Sequence, residues 1–226
     1  MEIKLRNGSK SKIIDVEKSI ISLQSIDQSV INYLIEDYNP VVVDNTSLYF
    51  VSKTVLDEIT LFNKYPELNL LGDIIKLLGE QNDFFNRRID ELSTTEKIYL
   101  NILRNISKLE KIIIFKDLFL GLDLNNQKNL IKVINYLKEL DCIVIICSSD
   151  VNVLYRYSDY SILSANTLIH FDTTDEIYIN VGYLIKHNFE VPTLSYITYK
   201  AKEEKNVKLF YSKDVRDIIK DIYKHV

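Results

Sequence analysis

The sequence predicts an α/β fold, a mainly parallel sheet flanked by helices with an antiparallel β part at the N-terminus. Three observations carry that expectation. Residues 112–115 and 142–147 are unbroken apolar runs, as strands buried on both faces are. Such runs alternate with segments of helical spacing through the centre of the chain, which implies parallel strands joined by crossover helices. The first fifth instead alternates apolar with polar residues around Asn7-Gly8, the pattern of a hairpin.

The elements follow in order. Residues 2–5 and 13–16 read as the hairpin strands and 20–23 as a third strand. After a polar loop at 24–28, Val30, Ile31, Leu34 and Ile35 recur at helical spacing until Asn39-Pro40 stops them. Short strands are expected at 41–43 and 48–51, and residues 54–88 read as an all-helical insert broken at Lys64-Tyr65-Pro66. Then come a helix at 95–107, a strand at 111–115, a helix at 126–140, a strand at 142–147, a helix at 151–157 and a strand at 161–163. From His170 the chain turns polar, with an extended Glu190-Val191-Pro192 before helices at 194–205 and 213–223.

Composition narrows the function classes. The 226 residues, 46% hydrophobic and 27% charged, suit one large domain or one domain with an appendage. Lys plus Arg number 28 against 32 Asp plus Glu, a net charge of −4 that argues against a nucleic-acid partner. No apolar run approaches the roughly 18 residues that a membrane span needs. The start MEIKLRNGSKSK lacks the apolar core of a secretory signal, so a cytoplasmic location is expected. Cys142 and Cys147 share one strand at an odd spacing, point to opposite faces and cannot pair with each other. Three scattered histidines (His170, His187, His225) make no metal cluster, and the five glycines are too far apart to cradle a phosphate.

A family resemblance enters from Leu92 onward. Leu92-Ser93-Thr94-Thr95-Glu96 opens a helix, and Ile112-Ile113-Ile114-Phe115-Lys116-Asp117 is an apolar strand ending in charge. Gly121-Leu122-Asp123, Cys147-Ser148-Ser149-Asp150 and Tyr157-Ser158-Asp159-Tyr160 follow at short fixed distances. In order and spacing these pieces resemble the signature helix, Walker B strand, D-loop, switch strand and adjoining segment of ATP-binding cassette (ABC) ATPases. The tail, with His170-Phe171-Asp172-Thr173-Thr174-Asp175-Glu176-Ile177-Tyr178, Phe189-Glu190-Val191-Pro192-Thr193-Leu194-Ser195 and a final helix from Ser212, resembles ATPase subunits of energy-coupling-factor importers. The resemblance implies the ABC nucleotide-binding fold over 1–169, with a helical subdomain at about 53–95, and a helical, dimerisation-type extension over 170–226.

The chemical residues depart from that family. At the Walker A position stands Ser22-Leu23-Gln24-Ser25-Ile26-Asp27-Gln28-Ser29, without the glycines and lysine that wrap and reach phosphates. Of this vestigial nucleotide loop, Ser22, Ser25, Asp27, Gln28 and Ser29 are the candidate contacts, and Ser29 retains a hydroxyl for a metal. Lys116 occupies the Walker B aspartate position, Asp117 that of the catalytic carboxylate, Ser149 that of the switch histidine and Lys53 that of the Q-loop glutamine. Positioned acid–base and metal groups are worth orders of magnitude in rate, so a pseudo-ATPase without cofactor or metal is expected. Asp117 and Ser149 are then catalytic vestiges.

Local readings stand beside the family one. Ser93, Thr94, Thr95 and Glu96 form a capping box, Gly121 suits a turn of positive φ, and Asp123 caps the following helix. Lys116 and Asp27 are solvated charges or, across the family's metal site, an internal ion pair. In the insert, Leu61, Phe62, Phe84 and Phe85 are partner contacts or, with greater weight, ordinary core. The expected role is a non-catalytic scaffold or regulatory subunit, as homodimer or paired with an active ABC ATPase and a membrane coupling protein, in the cytoplasm or peripheral on the inner face of the membrane. Two alternatives are an active subunit that binds ATP and Mg through substitute residues, and a soluble homodimeric interaction protein that has left transport.

Overall fold

The computed structural model describes residues 1–25, 29–45, 48–165 and 168–224. Strands β1 (Glu2–Asn7) and β2 (Lys10–Asp15) pair antiparallel, Ile3 with Ile14 and Leu5 with Lys12. Gly8, at φ +58°, makes the turn between them in a region that side chains disfavour. The hairpin does not pair with the six-stranded sheet, which is ordered β4-β5-β6-β3-β7-β8. Its strands are β3 (Ile20–Ser25), β4 (Val41–Asp44), β5 (Ile112–Lys116), β6 (Ile143–Cys147), β7 (Tyr160–Ala165) and β8 (Leu168–Thr173). All neighbours are parallel except β8, which runs antiparallel along β7. The expected α/β fold is therefore present, antiparallel N-terminal part included.

Alternation along each apolar strand divides the core. On β6, Ile143, Ile145 and Cys147 join Ile3, Leu5 and Ile14 of the hairpin and Val30 and Leu34 of α1 (Ser29–Tyr38). Val144 and Ile146, with Cys142 just before the strand, belong to the opposite face. That face packs on α2 (Val55–Phe62), α3 (Leu68–Leu77), α4 (Thr94–Asn105) and α5 (Leu124–Glu139). Both cysteines are buried and free, on the opposite faces that their spacing demands. A third cluster joins α6 (Val151–Tyr157), α7 (Thr174–Ile179) and α8 (Val181–Lys186) through Tyr155, Ile177, Tyr178 and Leu184 to Leu163 of β7. Helices α9 (Thr193–Lys205) and α10 (Val215–Ile222) complete the chain.

Two expectations need correction. Residues 48–51 form no strand, because side chains rather than a neighbouring strand satisfy their backbone. Glu58 accepts from the N–H groups of Val51 and Ser52, and Arg104 donates to the Tyr49 carbonyl. In the stretch where the sequence suggests polar chain ahead of the helices at 194–205 and 213–223, residues 168–186 hold β8, α7 and α8. These elements are short and half-exposed, so their apolar periodicity is weak. In the insert, α2 and α3 flank the break at Pro66, but the last part is two 3₁₀ turns, Asn82–Asn86 and Ile89–Glu91. Phe84 is fully buried and Phe85 packs on the core, whereas Leu61 and Phe62 are exposed. Among the described residues no helix is long and apolar enough to cross a membrane.

Candidate functional site

Parallel register brings the chemistry-bearing strand ends together. Leu23 of β3 and Lys116 of β5 both align with Cys147 of β6, and Asp44 of β4 aligns with Lys116. These carboxyl-terminal ends are where open α/β sheets take ligands. A cleft of about 330 Å³ lies there, walled by Gln24, Ser25, Lys116, Asp117 and Ser149 over a floor that includes Cys147. Gln24 and Ser25, Lys116 and Asp117, and Ser149, far apart in sequence, thus share one concavity.

Its ammonium is already paired. The Lys116 ammonium lies 3.2 Å from Asp44 Oδ2, a pair formed because two apolar strands end side by side in opposite charges. Asp44 is a site residue that the sequence reading missed, although Val41-Val42-Val43-Asp44 beside Ile113-Ile114-Phe115-Lys116 contains the signal. Asp27 and Gln28 lie outside the described residues, and with them the expected pair of Lys116 with Asp27. Asp117 has φ +53°, a left-handed conformation that aspartate tolerates better than most residues. Its N–H donates to the Cys147 carbonyl at 2.8 Å, and its carboxylate accepts the Ser149 N–H at 2.9 Å. Burial, with Asp117 nearby, pushes the Cys147 thiol up to about 12.

Other positions face elsewhere. Ser22 is fully buried, its hydroxyl 2.6 Å from that of Ser161, which in turn meets Thr174 at 3.0 Å. Ser29, first residue of α1, donates to Asn7 Oδ1 at 2.9 Å. Lys53 is exposed in a separate groove of about 410 Å³, with Tyr49, Phe50, Arg88 and Lys97. Ser93 and Glu96 form a complete capping box at the start of α4, around Thr94 and Thr95. Burial opposes ionisation of Glu96, but hydrogen bonds from Ser93 and Arg87 outweigh it and hold the carboxyl below its usual range. Gly121 has φ +82°, Leu122 is buried, and Asp123 caps α5 by accepting from the N–H groups of Asn125 and Asn126.

The far wall of the cleft comes from the C-terminal segment. Asn188 and Glu190 line it, and Gln24 Nε2 donates to the Glu190 carbonyl at 3.3 Å. No sequence signal placed this segment against β3, because the contact spans more than 160 residues. Among the described residues the cleft therefore combines the carboxylates of Asp117 and Glu190 with the Lys116 ammonium that Asp44 already pairs. Among the described residues the cleft offers no unpaired ammonium to the phosphates of a nucleotide. Among the described residues no group of three His, Cys, Asp or Glu side chains converges to hold a metal.

Comparison with known proteins gives structural relatives only. No family model matches the sequence, and no curated protein matches it. CbiO1 from Clostridium perfringens, part of the ABC transporter complex CbiONQ, superposes with a TM-score of 0.63 at 15% identity, covering 87% of this chain and 98% of CbiO1. A metal-chelate type ABC transporter in an inward-facing conformation gives 0.62 at 15% identity, over 78% of this chain and 81% of the other. An ATP-binding subunit of an ABC transporter gives 0.63 at 14% identity, over 80% and 92%. The chain has the fold of the ATPase subunits of ABC transporters.

Proposed function

We propose that this chain is a non-hydrolysing ABC-type subunit, a scaffold or regulatory partner in a transporter-type ATPase assembly. The observation that carries the reading is the Lys116–Asp44 pair at 3.2 Å, an internal ammonium where the fold's relatives would be expected to hold a metal through a carboxylate. The engagement of Asp117 by the Ser149 N–H supports it, since a carboxylate so held is poorly placed to activate water. The domain reading that goes with it is an ABC-like body over 1–169, with its helical subdomain at about 53–95, and an extension over 170–226 that serves association. The partners in this reading are a second copy or an active ABC ATPase, and a membrane coupling protein at the inner face of the membrane. Exposed Leu61, Phe62 and Tyr65 on the α2–α3 side offer apolar surface for the latter.

A thermal-shift titration with Mg-ATP tests the central claim, because a ligand at 100 times its dissociation constant stabilises the native state by about 2.7 kcal/mol. The expected result is no shift at millimolar nucleotide. A Mg-dependent shift would overturn the reading in favour of an active subunit built on Ser29, Lys116 and Asp117. The exposed Val215, Ile219 and Tyr223 of the α10 region favour self-association as a second reading. Sedimentation of the purified chain, alone and with a candidate ATPase partner, separates a self-sufficient homodimer from a heteromeric subunit.

A further inference from the structure

The cleft and the groove around Lys53 are joined by a line of polar contacts that passes through the Asp44 backbone. Lys116 Nζ contacts Asp44 Oδ2 at 3.2 Å, and the carbonyl of the same Asp44 accepts from Asn101 Nδ2 at 2.9 Å. Asn101 Oδ1 accepts from Arg104 Nε at 3.2 Å, and Arg104 Nη1 lies 3.2 Å from Glu58 Oε1. Glu58 Oε2 then accepts from the N–H groups of Val51 at 3.1 Å and Ser52 at 2.9 Å. Asn101 is 2% and Glu58 1% exposed, so the middle and far end of the line are shielded from water. The Arg104 guanidinium also lies 4.8 Å from the centre of the Phe50 ring and 4.9 Å from that of Phe62. A buried pair so enclosed interacts strongly, because low dielectric weakens screening.

We propose that Lys116, Asp44, Asn101, Arg104 and Glu58 form a relay that couples the charge in the cleft to the order of the backbone at 49–52. The inference goes beyond the functional reading above and does not depend on it. The responding element is the segment 49–52. No strand partners it, and the contacts that fix it include Tyr49 O to Arg104 and the Val51 and Ser52 N–H groups to Glu58. The Asn101 amide fixes the direction of the relay: it donates towards Asp44 and accepts from Arg104, so a flip would break both bonds. An anionic group entering the cleft and drawing Lys116 away from Asp44 loosens the first link. The groove walled by Tyr49, Phe50 and Lys53 responds at the other end.

Amide hydrogen exchange on the full chain, without nucleotide, tests the relay, with Val51 and Ser52 as reporters and the β6 amides as a measure of global opening. Lys116→Met is expected to speed exchange at the two reporters by about fivefold or more, the lower end of measured coupling between sites, without a matching change in β6. Lys116→Arg, which keeps the cation, is expected to stay near the native rate. Arg104→Met speeds the reporters further, and adding Lys116→Met to it has no additional effect. Unchanged reporters in Lys116→Met overturn the relay, as does equal loosening by Lys116→Arg or additivity in the double variant. If Arg104→Met does not fold, the two Lys116 variants decide alone. Because no nucleotide is present, these outcomes stand whether or not Mg-ATP binds.

Discussion

The interior of the sheet and its carboxyl-terminal rim have been shaped by different demands, and the boundary between them runs between two consecutive residues. Phe115 is fully buried in the core on the α2–α5 face, whereas Lys116 is about a quarter exposed and paired with Asp44. Inside, each strand residue has packing partners on one face or the other, and volume and alternation dictate its type. At the rim a side chain has only to satisfy its charge, which many residue pairs can do. The fold can therefore persist while the residues at the rim vary.

The largest expected effect lies on the inner side of that boundary. Phe115→Ala empties a fully buried site and is expected to cost about 3–5 kcal/mol in urea unfolding. A loss below 1 kcal/mol would mean that β5 is far less tightly packed than the rest of the sheet.

Glu58 sharpens the comparison, because it is a rim-type group carried into the interior. Burial raises its pKa, but hydrogen bonds from Ser52, Val51 and Arg104 outweigh burial and leave it below the ordinary 4.5. The folded state therefore prefers the ionised form. Its contribution is complete above 4.5 and is lost as the pH falls through the depressed folded value, where the unfolded chain binds the proton first. Glu58→Gln removes a charged hydrogen-bond acceptor and is expected to cost about 1.5–3 kcal/mol at neutral pH. The gap from the native protein should close as unfolding is measured at lower pH. A gap independent of pH would show that the carboxylate's charge contributes nothing and that only its shape matters.

How far the sequence could be read follows the same division. The strands at 112–116 and 143–147 and the helices α4 and α5 were legible because burial on both sides, or on one helical face, leaves a period in the chain. The absence of a strand at 48–51 was not legible: Leu48, Phe50 and Val51 look apolar, and what holds them is a carboxylate and a guanidinium from helices elsewhere in the sequence. Within the cleft, Lys116, Asp117 and Ser149 could be placed by their position after apolar strands. Asp44 needed the β4–β5 register, and Glu190 needed a contact with Gln24 that only the folded chain makes. Local periodicity announces elements, whereas the pairs that close a site depend on which elements become neighbours.

The smallest expected effect belongs to Lys116 itself. Its side chain and that of Asp44 are 27% and 26% exposed, so water screens the pair, and ion pairs of this kind contribute about 0–1 kcal/mol. Lys116→Met is therefore expected to move the unfolding midpoint in urea only slightly, several times less than Phe115→Ala one residue away. The contrast is the point of the measurement, since adjacent residues on one strand share backbone and register but lie on different sides of the boundary. If Lys116→Met instead costs as much as Phe115→Ala, the ammonium is structural in the way a buried core residue is. The rim would then have to be counted as part of the core, with the internal cation helping to hold β4 and β5 together.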